Sequence, residues 1–232
     1  MAIQEAIILA GGLGTRLRET VPDLPKCMAP VNNRPFIYYV ISHLQKQGIQ
    51  RFIFSLGYKS EAFTQYITEL LPGGNYELVI EKEPLGTGGA IKYACSYVQH
   101  TNVVVVNGDS IFKTNIADQD ALHTDKNAHC TLALKPMENF ERYGVVELNH
   151  DQTIASFKEK QYYAKGLING GVYLINAKLF LQENLPEKFS FETDYLQVLY
   201  HQRRIYGVIQ DAYFIDIGIP EDYQRAQTEL TD

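Results

Sequence analysis

Residues 6–26 read AIILAGGLGTRLRETVPDLPK, and the fold turns on how this stretch is interpreted. The apolar run Ala6–Ala10 carries an Ile-Ile pair and has the length of a strand buried on both faces. Gly11, Gly12 and Gly14 follow it at once. A glycine-rich turn leaving a buried strand lets backbone N–H groups approach an anion. Arg16 and Lys26 can add positive charge to the same place. The group has the makings of a phosphate grip. It is neither of the two familiar ones: the third glycine of GxGxxG is replaced by Leu17, and no glycine-lysine-hydroxyl run is present. The plainer alternative is a tight turn beside an exposed arginine, and Pro25-Lys26 downstream weighs against it.

Outward from this turn the first half alternates strand and helix patterns. PFIYYVISHLQKQ (35–47) places Phe36, Tyr39, Val40 and Leu44 on one helical face, with proline at its start and Gly48 at its end. RFIFSLG (51–57) predicts a second strand, 60–71 a second helix, YELVIEKE (76–83) a third strand and 87–99 a third helix. NVVVVNGD (102–109) is the strongest strand pattern, four valines ending at Asn-Gly-Asp. Such an order predicts an α/β protein with a mixed, mostly parallel central sheet and helices on both faces. The second half is less regular. AHCTLALK (128–135), YGVVELN (143–149), TIASFKE (153–159) and NGGVYLIN (169–176) predict strands without intervening helices. Helical stretches are expected at 177–183 and 192–201. RIYGVIQ (204–210) and YFIDIG (213–218) are expected to end the sheet, followed by a terminal helix at 220–230. With 232 residues and no linker, repeat or low-complexity segment, one large domain over 1–232 is expected.

Composition narrows the classes of partner. Lys and Arg number 21 against 27 Asp and Glu, a net charge of −6, and no basic block stands out. That gives no electrostatic case for nucleic acid, so a site for anionic substrates must gather its positive charge locally. No run approaches a membrane span and no secretory leader is visible. Cys27, Cys95 and Cys130 are odd in number and scattered, which suits reduced thiols in a cytoplasmic protein. The six histidines show no metal-ligand spacing.

Ligands of open α/β sheets bind beyond the carboxyl ends of the strands. Three features fall there together: the glycine turn, the EPLGTGGA segment (83–90) and Asp109. Asp109 alone suits a turn. Asp216, at the end of another apolar strand, makes a second carboxylate, and two of them beside a phosphate grip suit Mg²⁺. Lys160 and Glu159 lie beyond a strand, where an exposed pair is the common outcome. Asn169-Gly170-Gly171 is more simply a turn than a polyol contact.

Together these residues resemble the sugar-1-phosphate nucleotidyltransferases. The likeness covers nearly the whole chain: LAGGLGTRL followed by Pro25-Lys26, then EPLGTGGA, NGD, EK, NGG and IDIGIPEDY in order. LPKCMAPV, EKEPLGTGGAI, FERYGVVE, GLINGGVYL, KFSFE and FIDIGIPEDY narrow it to the branch that guanylylates a heptose 1-phosphate. Mannose-directed guanylyl transfer, glucose-directed thymidylyl or uridylyl transfer, or a non-catalytic nucleotide-sugar-binding role would use the same scaffold. Cys27 stands where many relatives have proline.

The resemblance implies a Rossmann-like nucleotidyltransferase fold, a nucleoside triphosphate and a sugar 1-phosphate as partners, Mg²⁺ as cofactor and a homodimer as the possible assembly. Leu9, Ala10, Gly11, Gly12, Gly14 and Thr15 would hold the nucleotide, Arg16 gripping the β- and γ-phosphates and Lys26 the α-phosphate. The Leu85 to Gly89 loop, Gly88 included, would line the base, and Glu83, Pro84, Asn107 and Gly108 would also bind the nucleotide. Asp109 and Asp216 would hold the metal, and Arg16, Lys26 and Asp109 would carry catalysis. Tyr143, Gly144, Glu159, Asn169 and Gly170 would line the sugar, and Lys160 would bind its phosphate.

Overall fold

The computed structural model describes residues 3–11, 24–57 and 60–231. The turn residues Gly12, Gly14, Thr15 and Arg16 therefore lie outside the described residues.

β1 (Glu5–Leu9) is followed by a 3₁₀ turn (Lys26–Met28) and a small hairpin of β2 (Pro30–Val31) and β3 (Arg34–Pro35). Three strand-helix units come next: α1 (Phe36–Lys46) and β4 (Arg51–Leu56), α2 (Glu61–Leu70) and β5 (Tyr76–Ile80), α3 (Gly86–Cys95) and β6 (Asn102–Asn107). β4, β1 and β6 pair in parallel, with β5 parallel on the outside of β4. Alternation along β6 divides the core: Val104 and Val106 pack with α1 and α2 on one face, Val103 and Val105 with α3 on the other. Period-two side-chain direction explains why a run of four valines needs cover on both faces.

The second half extends the same sheet with long antiparallel strands. β7 (Ser110–Phe112) and α4 (Ile116–Asp125) lead to β8 (Cys130–Phe140), β9 (Val145–Leu148), β10 (Ile154–Lys158) and β11 (Tyr163–Asn176). β11 lies between β6 and β8 along its second half, whereas its first half leaves β6 and meets β9 at Ile168. α5 (Ala177–Leu181), a π-helical turn (Phe191–Leu196) and the short α6 (Gln197–Leu199) cover the α3 face. β12 (Ile205–Ile209) pairs in parallel with β8. β13 (Phe214–Asp216) and α7 (Pro220–Glu229) end the chain.

One element was unread and two expectations need correction. Segment 110–127 contains a helix, α4, that the sequence pattern hides. YFIDIG does not end the main sheet: β13 pairs with β7 in a separate two-stranded sheet. Asn169-Gly170-Gly171 is no turn; it lies within β11, at a register shift between Asn169 and Tyr173. Gly171 there has φ +71°, a conformation that side chains disfavour, and a Cβ would stand 2.6 Å from Asn107 Nδ2. This bulge lets β11 change neighbours beside the carboxyl end of β6.

Candidate active site

The carboxyl ends of β1, β4, β5 and β6 face one region, and three charged side chains meet there. Lys26 is fixed by its 3₁₀ turn, anchored by buried Cys27 and Met28. Asp109 stands two residues beyond the end of β6. Asp216 ends β13, whose pairing with β7 sets Asp216 opposite Ser110. A bond from Ile217 N–H to the Asp109 carbonyl, 3.1 Å, ties the two segments together. Lys26 Nζ lies 2.6 Å from Asp109 Oδ2 and 3.7 Å from Asp216 Oδ1. Burial, and then the Asp109 charge, push the Asp216 carboxyl above its ordinary value, against the pull of Lys26 and of the Gly218 N–H. Two carboxylates share one ammonium, so the group carries an excess negative charge. The Cys27 thiol beside it is pushed up to about 12, by burial first and Asp109 second, which keeps it a neutral packing group.

This arrangement fits a hard divalent ion. Among the described residues no group of three or more His, Cys, Asp or Glu side chains is placed to hold a metal ion by itself. Mg²⁺ needs none: it takes one or two carboxylates and completes its shell with water and phosphate oxygens. Asp109 and Asp216, which bracket one positive charge, would make such a pair.

Two cavities open from this point. The first, about 360 Å³, is lined by Leu9, Ala10, Gly11, Lys26, Pro84, Asn107 and Asp109 among the expected residues. Cys27, Ser55, Glu81, Gly86, Thr87 and Ala90 also line it. Glu81 follows β5; its Oε2 accepts the Leu85 N–H at 2.9 Å, and its Oε1 lies 3.4 Å from Ser55 Oγ. Other expected residues sit elsewhere. Glu83 is exposed outside the lining. The Gly108 N–H binds the Leu9 carbonyl at 2.9 Å, closing β6 onto β1. Leu85 and Gly88 face the second half of the chain: the Phe189 carbonyl accepts the Gly88 N–H at 2.9 Å, and the Leu85 carbonyl accepts the Phe189 N–H at 3.0 Å.

The second cavity, about 350 Å³, brings together Tyr143, Gly144, Glu159, Lys160, Asn169, Gly170 and Asp216. Asn107 and Asp109 border both cavities. Burial first, and then Asp216, raise the Tyr143 hydroxyl above its ordinary value, so it remains a neutral donor. Ser110, Thr193 and Gln197 also line this space without a sequence signal of their own, and so does Glu192, the last residue of KFSFE, to which no role was assigned. Glu81 did have one: it stands at a strand's carboxyl end, where the ligand rule for open sheets applies.

Residues 5–232 match the nucleotidyl transferase family. The chain is 51% identical over 97% of its length, and 98% of the relative's, to D-glycero-alpha-D-manno-heptose 1-phosphate guanylyltransferase of Aneurinibacillus thermoaerophilus. It is 44% identical to the Campylobacter jejuni protein of the same name, over 94% of this chain and 96% of that one. Among solved structures, HddC from Yersinia pseudotuberculosis complexed with GMP-PN superposes with a TM-score of 0.87 at 35% identity, covering 99% of this chain and all of that one.

Proposed function

This chain belongs to the nucleotidyl transferase family, and on that premise we propose that it transfers a guanylyl group from GTP to D-glycero-α-D-manno-heptose 1-phosphate, releasing pyrophosphate. The observation that carries the reading is the common border of the two cavities. Asn107 and Asp109 line both, and Lys26 reaches Asp109 and Asp216 at that junction. A nucleotide in one cavity and a sugar phosphate in the other would meet at one ammonium and two carboxylates. The names and coverage of the relatives support the choice of guanylyl group and heptose.

The chemistry asks little of a general base, because a sugar 1-phosphate is already ionised. Its oxygen forms a bond to the α-phosphorus of GTP in line, the bond from that phosphorus to the bridging oxygen breaks, and pyrophosphate leaves with the electron pair. The obstacle is bringing two polyanions together, so positive charge and positioning supply most of the acceleration. Lys26 draws the α-phosphate and the sugar phosphate to one point. Arg16 holds the β- and γ-phosphates, with backbone donors from Gly11, Gly12, Gly14 and Thr15. Lys160, which lines the second cavity, binds the sugar phosphate, and Tyr143, Gly144, Glu159, Asn169 and Gly170 surround the sugar. Asp109 and Asp216 would hold Mg²⁺, which supplies further neutralisation of phosphate charge.

Glu81 supports guanine on chemical grounds. Guanine offers two adjacent donors, N1–H and the N2 amino group, and a carboxylate accepts both. Uracil and thymine flank their single N–H with carbonyl oxygens that a carboxylate repels. The three buried, unpaired cysteines and the need for a nucleoside triphosphate support a cytoplasmic location.

Pyrophosphate release across four triphosphates and the heptose, mannose and glucose 1-phosphates tests the reading. GTP with the heptose 1-phosphate is expected to give the highest kcat/KM. Turnover with only another triphosphate would reject the guanylyl assignment. Glu81→Gln is expected to erode the preference for GTP.

A further inference from the structure

Asn169 is less available to a sugar than its position suggests. Its Oδ1 accepts the Gly171 N–H at 3.2 Å. Its Nδ2 donates to the Tyr173 hydroxyl at 2.8 Å and to Glu192 Oε1 at 3.1 Å. An amide nitrogen has two hydrogens, so its donor capacity is spent. The Tyr173 hydroxyl is also directed at Glu192 Oε1, at 3.4 Å. Its ring is 3% exposed, and burial first, then Glu192, hold its hydroxyl well above the ordinary value and therefore protonated. Two neutral donors from β11 thus hold one oxygen of Glu192. No hydrogen bond engages the other oxygen, Oε2, among the described residues, and Glu192 lines the second cavity.

The backbone under Glu192 is unusual. It lies in the π-helical turn Phe191–Leu196, opened by Ser190, whose side chain accepts the Thr193 N–H at 3.2 Å. Insertions of this kind re-aim a side chain relative to a regular helix and recur at functional sites. Phe191, Tyr195 and Leu196 bury the other side of the turn, leaving Glu192 to the cavity.

We propose that Glu192 is a sugar-binding residue: its free carboxylate oxygen accepts a hydrogen bond from a hydroxyl of the sugar 1-phosphate, while Asn169 and Tyr173 are positioning residues that hold the other oxygen. The inference rests on the sugar 1-phosphate reading of this cavity. It also gives the site a selection rule, since a carboxylate facing the ring favours neutral polyols over sugars that carry their own carboxylate.

Glu192→Gln separates this from a structural role. The amide oxygen can still accept from Asn169 and Tyr173, so the internal bonds survive. The second oxygen becomes a donor and can no longer accept. The expected result is a rise in KM for D-glycero-α-D-manno-heptose 1-phosphate of roughly 10- to 100-fold, the worth of one hydrogen bond to a charged group, with KM for GTP and the thermal midpoint unchanged. Titration of the heptose 1-phosphate into the protein by calorimetry, without GTP, is expected to show the same loss of affinity in Glu192→Gln. An unchanged KM and affinity in this variant would overturn the proposal, as would equal changes in both KM values. Failure of the wild-type protein to use any sugar 1-phosphate would instead overturn the functional reading beneath it.

Discussion

The two ends of the parallel sheet handle buried carboxylates in opposite ways. At the amino end, Glu5 opens β1 and its side chain is fully buried. It is also saturated: Arg51 pairs with Oε1, while the Gln99 N–H, the His100 N–H and His100 Nδ1 reach Oε2 at 3.0, 2.8 and 2.8 Å. Burial alone would raise this carboxyl, but the bonds from His100, Gln99 and Arg51 outweigh it and hold it below its ordinary value. At the carboxyl end, Asp216 is pushed the other way by burial and Asp109, with one lysine shared between two acids. A fully partnered charge locks strands together. An underpartnered pair is kept ready for something that arrives later. The contrast teaches which end works for the fold and which for the chemistry.

The sharpest way to break this contrast is to remove a charge at each end. Lys26→Ala is expected to lower kcat by about 10²–10³ while leaving the unfolding transition near its original midpoint, checked by steady-state kinetics beside thermal melts. Glu5→Gln is expected to do the reverse. It should destabilise by about 3–5 kcal/mol, because Arg51 is left without its buried partner, and kcat per folded molecule should not change. Urea titration gives the first number and active-site counting the second. A loss of turnover in Glu5→Gln matching that in Lys26→Ala would erase the distinction.

The smallest effect concerns pH. Glu5 has a depressed folded value, so its stabilisation is present above the unfolded carboxylate value and is lost as pH falls through the folded one. Asp216 has a raised folded value, so ionising it costs stability, and that cost vanishes as pH falls. Asp216→Asn is therefore expected to melt slightly higher than the wild type at pH 7, the gain fading in acid. The deficit of Glu5→Gln should fade in acid as well, from the other side. Melts from pH 7 downward that show the two variants shifting in the same direction would refute the assignment of roles.

The parallel half of the fold was legible because its strands obey simple apolar rules, and the expected elements agree with those observed to within a few residues. α4 escaped because its buried stripe is polar. At the positions where a helix facing the core shows apolar residues, Ile116 is followed by Gln119 and His123, both buried. Gln119 Nε2 donates to the Thr131 carbonyl at 2.7 Å, and His123 Nδ1 lies 2.9 Å from Thr131 Oγ1. Both bonds go to Thr131 on β8, outside the helix, so a periodicity search cannot see them. One local signal was present: Asn115 caps the helix, accepting the Ala117 N–H at 2.9 Å. The pairing of β13 with β7 was hidden for a similar reason, since three-residue strands carry almost no pattern. In the site, Asp109 and Asp216 were legible from their places at strand ends and Lys26 from the Pro25-Lys26 pair downstream of the glycine turn. Glu192 was visible only as the end of KFSFE, without a role, because its orientation depends on a π turn and on two donors from another strand.

Phe189 has a wider consequence. Its ring occupies the space that a side chain at position 88 would need, with a Cβ there only 2.2 Å from the ring edge, and its carbonyl accepts the Gly88 N–H of α3. Three residues later the same stretch presents Glu192 to the second cavity. Residues 187–193 thus run as one stretch of chain from α3 to the second cavity, and the Phe191 N–H also donates, at 2.9 Å, to Thr87 Oγ1, a residue that lines the first. Occupancy of one substrate site should then be thermodynamically linked to occupancy of the second, even where the two ligands share no contact.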